Sequence, residues 1–285
     1  MEVATSNSAR RVLAVFFVVL VLFLYLPIAI LAVLSFNDGD VTFPLQGFTT
    51  EWYSRFLSNP SLLAALQRSA IVATASSAIA VALGTLVSFA LVRRRFVGKS
   101  AASALFFSPL VVPYVVFGIS LLVLLTAFDR FLADSTGYVI GLGLHAVVIG
   151  HVVVSLPYTA LTIIPLLERL PVSLEEAAQD LGAGAWDRFR RVTLPLLTPA
   201  LFSSFLIAFT LSFDEYAIAS FLAGTQATWP VFLFGQLRVP SQLPQLVAVS
   251  SVIFFASLLL VLTAEVTRRV SARRYGETFA SRGLA

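Results

Sequence analysis

The sequence predicts an all-α, polytopic membrane protein with six transmembrane helices, and three observations carry that expectation. The 285 residues are 58% hydrophobic and 12% charged, with a mean hydropathy of +0.92, a balance foreign to soluble globular domains. Apolar runs long enough to cross a bilayer recur along the chain, separated by short polar connections. Lysine and arginine gather in every second connection, as they do when those connections stay on the cytoplasmic side.

After a short tail over residues 1–11, Val12 to Phe36 is a charge-free run of 25 residues. At about 1.5 Å per residue it covers a hydrocarbon core of about 30 Å. A secretory signal peptide has a shorter apolar core and a small-x-small cleavage pattern, so this run reads as an uncleaved first span, about 12–36, with a kink expected at Pro27. Asn37 to Arg68 is polar and carries Trp52 and Tyr53, side chains suited to a membrane interface. The second span, about 69–92, is rich in Ala, Ser and Gly, which let helices approach closely. Arg93, Arg94, Arg95 and Lys99 follow it.

A third span, about 103–126, contains Pro109 and Pro113, and these prolines interrupt helical bonding where lipid offers no replacement. The fourth span, about 138–167, contains Pro157. The fifth covers about 199–222 and the sixth about 243–266, leaving a basic tail over 268–285. Between the last two spans, the Gly-, Thr-, Gln- and Pro-containing stretch around Trp229 and Pro230 reads as an interfacial helix.

Charge sets the orientation. The N-terminal tail holds 2 basic residues, the connection after span two 4, the connection after span four 4 and the C-terminal tail 5, which is 15 of the 19 Lys and Arg residues. The opposite connections hold only Arg55, Arg68, Arg130 and Arg238. Both termini are therefore expected in the cytoplasm, and topology accounts for the positive charge without a nucleic-acid partner.

The connection from Ser173 to Pro195 is the most informative stretch. Its acidic and basic residues, between two apolar runs, require water. Ser173 and Glu176 have the spacing of a capping box, Glu175 and Glu176 suit the positive end of a helix, and Gly182 and Gly184 suit its termination. A second short helix over Trp186–Val192 would bring Trp186, Phe189 and Arg190 together and break before Pro195.

Other features that look like chemistry do not hold. The absence of cysteine excludes disulfides, thiolate catalysis and cysteine-ligated zinc. Gly98-Lys99-Ser100 imitates the end of a phosphate-binding loop, but Arg93 stands where its first glycine belongs and no buried strand precedes it. The chain therefore lacks an ATPase of its own. His145 and His151, six residues apart, point roughly 120° apart on a helix and do not share a metal. His151 with Ser155 is the nearest approach to a catalytic dyad, and no catalytic or metal-binding residue is assigned.

Asp214 and Glu215 are costly inside a span. With a helix starting near Pro199, Asp214 lies roughly 22 Å along it, in the outer half of the membrane. Two readings stand for these carboxylates: a lining that attracts cations on a translocation path, or a helix-packing or gate-side ion pair.

Glu176-Ala177-Ala178, then Gly182 after three residues, then Val192-Thr193-Leu194-Pro195 after nine more, resembles the EAA loop of permease subunits in bacterial ABC importers. That family usually has isoleucine at the position of Val192. The stretches SPLVVPYVVFGISLL, GHVVVSLPY and SFDEYAIASFLAG extend the resemblance to spermidine/putrescine-type permeases over nearly all of the chain after its first span.

The resemblance implies the type I permease fold of ABC importers, in the bacterial inner membrane. It implies a second permease subunit, two cytoplasmic ATPases that bind the ATP and Mg, and a periplasmic or extracellular solute-binding protein. It also implies that Glu175, Glu176, Ala177, Ala178, Gly182, Leu194 and Pro195 couple the permease to the ATPase. Asp214, Glu215 and His151 become candidates for the substrate path. A polyamine or similar small cation is the expected substrate, with ferric iron, opines and phosphonates as alternatives. A proton-coupled transporter using Asp214 or Glu215, and an intramembrane enzyme using His151, are the rival functions.

Overall fold

The computed structural model describes residues 7–39 and 43–282. Among these residues every long element is an α-helix, and six helical stretches are long and apolar enough to cross a membrane: Arg11–Leu34, Pro60–Arg93, Tyr114–Thr136, Leu144–Arg169, Ala185–Phe213 and Pro240–Thr267. The chain divides into two units, Met1–Pro60 with Gly235–Phe255, and Ser61–Phe234 with Ala256–Ala285.

In the first unit, helix α1 (Asn7–Leu34) contains Pro27 and presents apolar side chains around its circumference, as expected of a helix solvated by lipid. The segment after it folds around Asn37. Its side chain donates to Pro44 O (3.0 Å) and accepts from Gln46 N (2.7 Å), while its carbonyl accepts from Trp52 Nε1 at 2.7 Å. Trp52 lies on the short helix α2 (Glu51–Leu57), and Phe36 stacks on Phe48 at 5.3 Å. A buried amide with several partners and an aromatic cover order a segment that composition alone marks only as interfacial.

The second unit carries the helical core. Helix α3 (Pro60–Arg93) starts well before the expected 69, because Pro60 is tolerated in a first turn and the residues around Leu62–Leu66 simply extend the helix. The expected third span is split. Helix α4 (Lys99–Phe107) ends in a 3-10 turn at Ser108–Leu110, and α5 (Tyr114–Thr136) begins only after Pro113. Pro109 occupies that turn and Pro113 the cap, so the two prolines terminate one helix and start another rather than bending one span. Helix α6 (Leu144–Arg169) runs through Pro157 and Pro165.

Two elements of the connection follow, α7 (Val172–Asp180) and α8 (Ala185–Arg188). A wide π turn at Phe189–Thr193 leads without interruption into α9 (Leu194–Phe213). The break expected before Pro195 is absent. Pro195 sits in the first turn of α9, where its missing N–H costs little, and the wide turn before it relieves the clash of its ring. Span five accordingly extends further toward the connection than 199 and stops at Phe213 instead of 222. Helices α10 (Ala217–Leu222), α11 (Trp229–Gln236) and α12 (Leu243–Arg282) complete the order. Of the basic tail, the backbone to Arg282 continues α12.

Small residues decide the packing. A Cβ on Gly84 of α3 would collide with the hydroxyl of Thr159 on α6, and Thr159 donates to Ala80 O at 3.1 Å. A Cβ on Gly150 would come within 2.6 Å of Ile218 Cγ2, so α10 seats directly on α6. Val72, Val147, Val154, Ile218 and Leu222 form the apolar core around that contact, with Phe117 and Leu121 of α5 packed against it. Close backbone approach through Gly, Ala, Ser and Thr is how helices associate without a hydrophobic drive between them.

Candidate functional site

Two polar interruptions flank α9. At its N-terminal end is the elbow made by α7, α8 and the wide turn. At its C-terminal end, about 30 Å away for 20 helical residues, the chain breaks over Asp214, Glu215 and Tyr216 before α10.

The elbow leaves α6 through Leu170 and Pro171, both extended, with ψ of 118° and 130°. Pro171, with φ fixed at −61°, starts α7 two residues before Ser173. The expected capping box is therefore not formed: Ser173 is already inside the helix and makes no cap bond. Glu175 stands in the first turn, where a carboxylate favours the helix dipole. The other end closes as the glycine requires. Gly182 adopts φ +86°, its N–H reaches Gln179 O at 2.9 Å, and Ala183 N reaches Ala178 O at 3.0 Å. Arg188 returns across the turn to bond Gln179 Oε1.

The residues named for coupling do not all face one way. Glu176, Ala177, Gly182 and Pro195 are exposed, and Ala178 and Leu194 are half-buried. Glu175 turns inward instead: its Oε1 lies 3.7 Å from Arg93 Nη2 and accepts from the buried Thr193 hydroxyl at 3.3 Å. Trp186 and Phe189 do meet, with ring centroids 5.7 Å apart, whereas Arg190 points outward. On the outward side Leu181 is 90% exposed and Trp186 68%. Neither sits in an apolar run, so lipid does not account for them.

At the other end, adjacent carboxylates part company. Glu215 is 6% exposed and accepts from Ile218 N at 2.9 Å and Ala219 N at 3.0 Å, capping α10. It also receives His151 Nε2 at 3.0 Å, while His151 Nδ1 meets Ser212 Oγ at 2.7 Å, and Ser212 meets Ser76 at 2.9 Å. An N–H at Nε2 toward Glu215, with Ser212 donating to Nδ1, satisfies this whole chain. The network joins α3, α6, α9 and α10. Such a buried string is costly unless fully satisfied, and here each member has a partner.

His151 is 1% exposed and its ring nitrogens serve Glu215 and Ser212. It is not paired with Ser155, whose buried hydroxyl has no partner among the described residues. Glu215 follows the helix-packing reading. Asp214 is exposed and opens into a cavity of about 410 Å³ lined also by Tyr114, Thr210, Leu211, Glu215, Tyr216 and Ala217. Tyr216 stacks on Phe234 at 4.3 Å, and the Tyr114 hydroxyl lies 3.4 Å from that of Tyr158. Sequence reasoning did not name Tyr114 or Tyr216. Their placement beside Asp214 depends on Pro113 starting α5 and on the break after Phe213.

Six apolar helical stretches, with a polar elbow at one end of α9 and a carboxylate-bearing cavity at the other, make up a multi-pass membrane protein. Residues 80–276 match the family described as the binding-protein-dependent transport system inner membrane component, and the chain belongs to that family. It is 34% identical over 248 residues to the spermidine/putrescine transport system permease protein PotC of Escherichia coli K12, covering 87% of this chain and 90% of that one. It is 37% identical over 219 residues to the putrescine transport system permease protein PotI of the same strain, covering 76% of each.

Among solved structures, a bacterial ABC transporter that imports the acidic polysaccharide alginate aligns with a TM-score of 0.66, covering 92% of this chain and 98% of that chain at 17% identity. The MetNI methionine ABC transporter aligns with a TM-score of 0.55, covering 74% and 95% at 17% identity. These likenesses show a shared fold. The protein is thus a multi-pass permease component of an ABC importer, which sets aside the secondary-transporter and enzyme readings.

Proposed function

We propose that the elbow of this permease docks on a cytoplasmic ATPase and that the cavity at Asp214 passes a small organic cation of the polyamine class. One observation supports the docking most directly: Leu181 and Trp186 present large apolar side chains from a segment that also carries Glu176, Asp180, Asp187, Arg190 and Arg191. Exposed apolar side chains ringed by charge mark a protein contact. Glu176, Ala177 and Gly182 lie on the exposed surface of the same elbow. Two ATPase subunits, holding ATP and Mg, would engage this elbow and that of a second permease subunit, with a binding protein delivering solute from outside and both termini in the cytoplasm.

In this reading the chain hydrolyses nothing. Nucleotide-driven closure of the ATPases displaces the elbow, and because α8, the wide turn and α9 are continuous, the displacement reaches the cavity at the far end of α9. That is an alternating-access cycle driven by population shift. Support for a polyamine comes from the relatives named for spermidine and putrescine and from an exposed carboxylate beside two tyrosines, which suits an alkylammonium by charge and cation–π attraction.

Gly182→Asp tests the coupling. A side chain there meets open space but strains the left-handed backbone that ends α7, so the variant is expected to leave the membrane spans in place while disturbing the elbow and placing a charge on the docking face. Uptake per ATP hydrolysed by the assembled transporter should fall. Uptake and hydrolysis in wild-type proportion would refute the docking role.

A further inference from the structure

Three consecutive arginines stand at the end of α3, Arg93 as its last residue and Arg94 and Arg95 just beyond it, and only Arg93 turns back into the protein. Arg94 and Arg95 are exposed. The Arg93 side chain is 17% exposed, and its Nη2 donates to Leu170 O at 2.9 Å while standing 3.7 Å from Glu175 Oε1. Leu170 caps the C-terminus of α6 and Glu175 lies in the first turn of α7. The guanidinium thus holds one group on each side of the Leu170–Pro171 joint. It also satisfies a carbonyl that α6 leaves free and sits at the negative end of that helix.

The joint needs such a brace. Leu170 and Pro171 are extended and form the sole covalent link between α6 and the elbow, so rotation about Leu170 would absorb a displacement of α7 before it reached α6. Thr193, 3% exposed in the wide turn, ties Glu175 to the start of α9 as well. One turn before Arg93 on the same face of α3, Phe89 meets Phe189 edge-on at 5.7 Å, and Phe189 packs against Trp186. The elbow is therefore fastened to α3 by an ionic and an aromatic contact side by side.

We propose that Arg93 is a positioning residue that locks the α6–α7 joint through Leu170 O and Glu175, so that elbow and spans move as one body. Glu175 is then the internal counter-ion of Arg93 and not a contact for the ATPase. The inference rests on the docking role of the elbow proposed above.

The test uses the complete transporter in proteoliposomes, with its ATPases, partner permease and binding protein, comparing Arg93→Gln, Glu175→Gln, the double variant and Thr193→Val. Each single change at the ion pair is expected to lower uptake per ATP hydrolysed about tenfold, within the range of coupling between linked sites. The double variant should be no worse than Arg93→Gln, which already removes the ion pair together with the bond to Leu170 O. Thr193→Val, which keeps the ion pair, should show a smaller loss and provides a readout if the charge variants insert poorly.

Additive losses, or wild-type uptake per ATP in Arg93→Gln or in Thr193→Val, would overturn the proposal. Cross-linking from Ala178 to the ATPase separates the two claims. A cross-link that forms in every variant while uptake per ATP stays at wild type removes the brace alone, whereas a cross-link missing from the wild type removes the docking role beneath it.

Discussion

The chain contains two acidic pairs at polar interruptions, Glu175–Glu176 in the elbow and Asp214–Glu215 at the break after α9, and each pair is divided in the same manner. One carboxylate turns inward to a cation or imidazole on another helix, Glu175 to Arg93 and Glu215 to His151. The other faces out, Glu176 on the elbow and Asp214 in the cavity. Adjacent residues on a helix or tight turn point roughly 100° apart, so neighbouring carboxylates can reach different surroundings. The lesson is a division of labour in which one acid holds the element and its neighbour meets what lies outside.

The comparison breaks most visibly at Glu215. Glu215→Ala removes the acceptor for His151 and the cap of α10 together, and leaving buried donors without an acceptor costs about 1–3 kcal/mol for each. Thermal unfolding of the purified protein should show a large destabilisation, and a variant as stable as wild type would mean that the network does not hold the break.

Asp214→Asn should do the opposite: normal stability, but uptake of radiolabelled putrescine or spermidine reduced about tenfold or more, the effect of losing one charge-assisted hydrogen bond of roughly 1.5–3 kcal/mol. Asp214→Glu should restore part of it. Equal uptake by Asp214→Asn, or competition by phosphonates in place of polyamines, would remove the cation reading.

Much of the architecture was legible in the sequence because the six apolar runs are long and their basic connections alternate. The boundaries that moved are those set by proline. Pro109 and Pro113 divide the third span, Pro60 opens the second early, and Pro195 follows a wide turn that no periodicity announces. The elbow's ending was readable, since Gly182 had one conformational use, whereas its start was not, because Pro171 outcompeted Ser173 for the cap.

The inward turn of Glu175, Glu215 and Arg93 was hidden for a different reason. Arg93 looks the same as Arg94 and Arg95 in a charge count, and only the register of α3 against α6 selects it. His151 was visible as an unusual intramembrane residue, but its partner Ser212 lies 61 positions away and is brought to it by the packing of α9 on α6.

The central claim, that the elbow is where this permease meets its motor, is tested most directly by a photo-reactive residue placed at Ala177 in the native membrane. The account predicts a cross-link to a nucleotide-hydrolysing subunit that changes in yield as ATP is bound and hydrolysed. A cross-link only to lipid or to other permease chains, with no ATPase adduct in any nucleotide state, would contradict it.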